Sequence, residues 1–146
     1  MVGCSRRRHR ILVEFYQTET EKVGAANSSM ERSTMPRHCL TLDLRDDPAK
    51  IAEYKRHHQK IWPEIRDSLF AAGVTNMEIY LQGTRMFMIM DVCDDFSFEK
   101  KAAMDAANPK VLEWEALMGR FQAVPAGSDP LRRWVVMDKV FDLAKQ

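Results

Sequence analysis

The stretch NMEIYLQGTRMFMIMDV, residues 76–92, constrains this chain more than any other. Two strand-like runs, NMEIYLQ (76–82) and RMFMIMDV (85–92), are joined by Gly83-Thr84, which reads as a tight antiparallel hairpin. An isolated hairpin is marginal in water, so the flanking chain has to supply more strands and a covering layer. Upstream, HCLTLDL (38–44) alternates as a strand, and Asp47-Pro48 opens a helix that runs to about Ala72 and stops at Gly73. Downstream, FSFEKKAAMDAA follows Asp94-Asp95 as a helical stretch, Asn108-Pro109 breaks it, and KVLEWEALMGRFQ continues it. PAGSDP (125–130) is a loop, and WVVMDKVFDL (134–143) reads as a closing strand. The order β-α-β-β-α-β predicts an α+β fold, a ferredoxin-like antiparallel sheet with its helices on one face.

MFMIM (86–90) is apolar on both strand faces. A sheet with helices on one side should otherwise leave its far side polar. No sequence is left to cover that far face, so a second copy of the same sheet is expected to, giving a homodimer.

The chain has 146 residues, enough for one domain, with a formal net charge of +1. That balance gives no reason to expect nucleic acid or a membrane surface as partner, and no apolar run is long enough to span a bilayer. Three widely spaced cysteines, Cys4, Cys39 and Cys93, fit neither a disulfide framework nor a metal site. They read as free thiols in a reducing, cytoplasmic compartment. Residues 1–35, with RRRHR and a polar tract, fail as a secretory signal because Glu14 interrupts a short apolar run. They are expected to be a disordered extension to a domain over residues 36–146.

Within the first helical pattern, EYKRHHQKIWPEI (53–65), a polar problem appears. Ile51, Tyr54, His58, Ile61, Trp62, Ile65 and Leu69 fall within about a third of the helix circumference, the face that should lie on the sheet. His57 sits at the margin of that stripe and is expected to face solvent. Burying an imidazole and a phenol without partners costs about 1–3 kcal/mol each. A histidine satisfied by a backbone carbonyl would explain His58 blandly. Pro63, however, should kink the helix beside it. A kink, an inward His, an inward Tyr and a large ring describe a pocket wall. Glu78, Trp114 and the carboxylates beside that Trp are candidates for the opposite wall.

The Tyr-x-x-x-His-x-x-x-Trp-Pro spacing of residues 54–63, with TNMEIYL, a Trp in the late helix and the closing DKVFDL, resembles the L-rhamnose mutarotase family over residues 37–143. The resemblance implies a monomer that pairs into a dimeric α/β barrel. It also implies interconversion of the α and β anomers of a 6-deoxy-L-aldose, with no cofactor and no metal. By resemblance, His58 is the proton donor. Tyr54, Trp62, Trp114 and the positions now occupied by Met77 and Glu115 bind the sugar. Met77 stands where the family has a tyrosine, and Glu115 where it has a second tryptophan. These departures bear on which sugar is taken, L-rhamnose or L-fucose, and Glu78 or Glu115 could supply the missing polar contacts. Two other readings remain compatible with the residues: another small-molecule enzyme on this fold, and a non-catalytic dimeric binding or stress-response module.

Overall fold

The computed structural model of the protein describes residues 35–124, 127, 129 and 132–146. The expected extension therefore lies, except for Met35, outside the described residues, as does most of PAGSDP. The elements follow the expected order. Strand β1 spans Arg37–Asp43, helix α1 Pro48–Gln59, α2 Pro63–Ala71, β2 Val74–Gln82 and β3 Arg85–Val92. Helices α3 (Phe98–Ala106) and α4 (Pro109–Gly119) come next, then β4 (Val135–Val136) and a short 3-10 turn over Leu143–Lys145. The sheet order is β2-β3-β1-β4 and every pairing is antiparallel. This is the ferredoxin-like arrangement read from the sequence.

Local chemistry sets the boundaries. The Asp47 side chain accepts from the backbone N–H of Ala49 and Lys50 at 3.0 and 3.3 Å, and Pro48 occupies the first turn, where its missing N–H costs nothing. The first long helix differs from expectation. It does not kink at Pro63 but breaks, with Lys60 extended (φ −149°, ψ 93°) and Trp62 at φ −61°, ψ 141°. The ring of Pro63 excludes the helical conformation for the residue before it, so Trp62 ends one helix and Pro63 starts the next. Gly73, at φ +94°, supplies the left-handed turn that leads from α2 into β2. Strand β2 begins two residues earlier than its alternation suggests, because a register shift between Val74 and Asn76 interrupts the period of two.

Leu40, Leu42, Met86, Met88, Met90 and Val92 are buried against the helices, where Tyr54, Ile65, Val111, Trp114 and Met118 complete the core. The inward stripe of α1 and α2 is thus borne out. On the other sheet face Cys39, Phe87 and Ile89 are only half-buried and Tyr80 is exposed. The closing strand is far shorter than expected. Among the described residues only Thr41↔Val135 and Leu40↔Val136 pair, with the Met137 N–H donating to the Cys39 carbonyl at 2.8 Å, and beyond them Val140, Phe141 and Leu143 are 95%, 65% and 76% exposed. The expectation of free thiols holds for Cys39 and fails for Cys93, which is disulfide-bonded. No helix among the described residues is long and apolar enough to cross a membrane.

Candidate functional site

Between the helices and the inner sheet face lies a cavity of about 990 Å³, at the upper end of the range for ligand pockets. Tyr54 and His58 from α1, Met77 from β2, and Trp114 and Glu115 from α4 all line it. A second hollow of about 370 Å³ also borders Tyr54 and His58. Five of the six site residues implied by the resemblance therefore line one cavity. Trp62 is not in the lining; its ring packs edge-on against Trp114, centroids 5.2 Å apart, with the Lys110 ammonium 5.7 Å from its centre. Glu78 points to the opposite sheet face, is exposed, and accepts from the Tyr80 hydroxyl at 3.2 Å. It is not part of the cavity.

His58 Nδ1 is 3.0 Å from the backbone carbonyl of Tyr54, one turn earlier in α1. A carbonyl only accepts, so Nδ1 carries the proton and Nε2 presents a lone pair. The carbonyl anticipated by the bland reading thus satisfies one ring nitrogen and leaves the other available. The imidazole stacks on the Tyr54 ring at 4.1 Å and meets the edge of Trp114 at 5.6 Å. Burial pushes its pKa below the ordinary histidine value, His57 adds to that, and the hydrogen bond to Tyr54 opposes it. Its uncharged form is thereby favoured. The Tyr54 hydroxyl is pushed well above the usual range by burial first and then by the charge of Glu115, so it remains a phenol.

His57 is placed differently from its expected solvent-facing position. It is only part-exposed, packs 5.7 Å from Phe121 and 6.4 Å from Trp114, and its Nε2 lies 3.7 Å from Glu53 Oε1. The wheel of α1 alone does not reveal that α4 and the segment after it reach round to that side.

Of the polar end of the cavity, the sequence pointed to Glu115 alone. Burial pushes the Glu115 carboxyl from 4.5 up to about 7, against the opposing pull of Lys101 and Arg133. Arg133 Nη1 donates to the Glu115 backbone carbonyl at 2.9 Å and to Gln122 Oε1 at 3.1 Å. Its Nε–H is buried without a partner among the described residues. Room for the guanidinium comes from Gly119, where a Cβ would sit 2.5 Å from Arg133 Nη1. Lys101 and buried Asp105 form an ion pair at 2.5 Å beside this group. Arg133 follows a loop and Gln122 lies beyond α4 in an isolated bridge to Leu44, so neither carried a pattern that sequence reading could use. Among the described residues no cluster of three or more His, Cys, Asp or Glu could hold a metal ion.

Comparison with known proteins places this geometry. The family model described as L-rhamnose mutarotase matches residues 37–143. An L-fucose mutarotase of Xanthomonas campestris pv. campestris is 43% identical over 114 residues, 77% of this chain and 91% of that one. An L-rhamnose mutarotase of Rhizobium johnstonii is 28% identical over 101 residues, 68% and 90% of the two chains. The crystal structure of an L-rhamnose mutarotase from Formosa agariphila superposes with a TM-score of 0.57 at 21% identity, over 74% of this chain and 98% of that one, which supports the fold. The match over residues 37–143 shows that this chain belongs to the L-rhamnose mutarotase family of carbohydrate isomerases.

Proposed function

We propose that the protein interconverts the α and β anomers of a free 6-deoxy-L-aldose, L-fucose or L-rhamnose, with His58 moving the proton at the anomeric centre. The observation that carries this reading is the hydrogen bond at 3.0 Å from His58 Nδ1 to the Tyr54 carbonyl, which leaves Nε2 free beside Trp114. Neutral His58 takes the proton of the anomeric hydroxyl as the ring opens. After rotation about C1–C2 it acts as proton donor while the ring recloses on the other carbonyl face. The Tyr54 hydroxyl and the Trp114 ring contact the sugar, Met77 adds an apolar surface, and Trp62 supports Trp114 from behind. The 43% identity to a protein named L-fucose mutarotase favours L-fucose as the better substrate.

The experiment is NMR exchange spectroscopy on equilibrated L-fucose and L-rhamnose, with wild type and His58→Ala. Cross-peaks between α and β anomeric protons should depend on wild-type protein, be faster for L-fucose, and fall by about 10²–10⁴-fold in the variant. Folded wild-type protein that accelerates neither sugar sinks the reading.

The same proposal includes a homodimer. Its support is the half-open sheet face around Phe87 and Ile89 and the exposed apolar tail of Val140, Phe141 and Leu143. Free Cys39 fits a cytoplasmic location, and the disulfide at Cys93 argues against it. Cell fractionation separates the two.

A further inference from the structure

Opening a pyranose ring needs two proton transfers, one from the anomeric hydroxyl and one to the ring oxygen. His58 accounts for one of them. The other group has to reach the same cavity and change its protonation easily. Tyr54 reaches it, but its phenol is held protonated far above neutral pH and is a poor acid. Glu115 also lines the cavity, one residue after the tryptophan whose ring meets His58 at 5.6 Å. Its carboxylate is near enough to Tyr54, the stacking partner of His58, to perturb that phenol. From behind, Arg133 fixes its backbone carbonyl at 2.9 Å, which anchors this part of α4.

We infer that Glu115 is the second catalytic group, exchanging a proton with the sugar ring oxygen while His58 exchanges one with the anomeric hydroxyl. This inference rests on the mutarotase reading. In the forward half, the O1–H proton passes to His58 Nε2, the C1–O5 bond breaks, and the Glu115 carboxyl protonates O5. An open-chain aldehyde forms between imidazolium and carboxylate. After rotation about C1–C2, the C5 hydroxyl adds to C1 and returns its proton to Glu115, while His58 protonates the new O1. Both groups end as they began.

The surroundings suit this cycle. Facing Glu115 from α3 are Lys101, which lowers its pKa, and Asp105, which raises it; Arg133 lowers it from the segment before β4, and burial outweighs them all. Facing His58 are Tyr54 and His57 of its own helix and Trp114 of α4. Burial favours the uncharged form of each group, neutral imidazole and carboxylic acid, and these are the forms that the forward half requires.

The test measures anomer exchange of L-fucose from about pH 5 to about pH 9 for wild type and Glu115→Gln. Wild-type kcat should fall as pH rises through about 7. The glutamine variant should be slower by roughly 10²-fold and should lack that alkaline fall. A variant with unchanged kcat, whatever its KM, or with the same alkaline fall as wild type, overturns the role of Glu115 and leaves the mutarotase reading standing. The wild-type profile decides even if the variant does not fold, since a rate that is flat through neutral pH also overturns it. Wild type inactive on every 6-deoxy-L-aldose overturns the mutarotase reading instead, and this inference with it.

Discussion

At the scale of single residues, the site rests on buried groups whose charge is suppressed. Glu115 and His58 are shifted in opposite directions for the same reason, because burial penalises whichever form is charged. The consequences for stability also have opposite signs. Glu115 has a folded-state pKa raised from 4.5 to about 7, so its contribution is full below about 4.5 and is lost as pH rises through about 7. His58, with its pKa lowered, contributes above the unfolded value near 6.5 and loses that contribution as pH falls. Glu115→Gln should therefore be more stable than wild type at pH 8, by about 1–3 kcal/mol, with the two converging near pH 4. Thermal unfolding at both pH values checks this. Tyr54 and His58 were visible in the sequence because a polar residue on an apolar stripe is conspicuous. Arg133 and Gln122 were not, since nothing in a loop-flanking arginine says what it will lean against.

At the scale of elements, helix starts were the most legible features. Asp47, Ser97 and Asn108 each cap a helix through a side-chain oxygen. Asn108 matters to function because α4 carries both Trp114 and Glu115, and its side chain accepts from the Lys110 N–H at 3.0 Å. Asn108→Ala should cost about 1 kcal/mol and lower the melting temperature by a few degrees. If the cap acts only on stability, anomer exchange at 25 °C will be close to wild type; calorimetry and the NMR assay together check both parts. Pro63 shows where reading by pattern falls short. The hydrophobic stripe continues at helical spacing through residues 60–62 although the backbone there is extended. Side-chain periodicity reports which residues face the core, and the restriction imposed on Trp62 by Pro63 decides whether one helix or two present them.

At the scale of the whole molecule, the exposed tail and the half-open sheet face belong together. Among the described residues Val140, Phe141 and Leu143 find no partner surface, and β3 offers Phe87 and Ile89 on a half-buried face. Sedimentation at micromolar concentration should give a dimer for the full chain. Removal of residues 138–146 should shift it toward monomer without unfolding the sheet, because the last residue hydrogen-bonded to β1 is Met137, which is retained. A full-length monomer would count against the homodimer.

Sequence alone determined the element order, the antiparallel hairpin, the helix start at Asp47-Pro48 and the inward direction of Tyr54 and His58. These follow from local chemistry: turn residues, caps, and periods of two and 3.6. Only the tertiary structure decided which polar groups share the cavity, how short the closing strand is, and that burial raises the Glu115 carboxyl to about 7 against the pull of Arg133. Those depend on contacts between residues far apart in the chain, and on desolvation, which exists only once the core has closed.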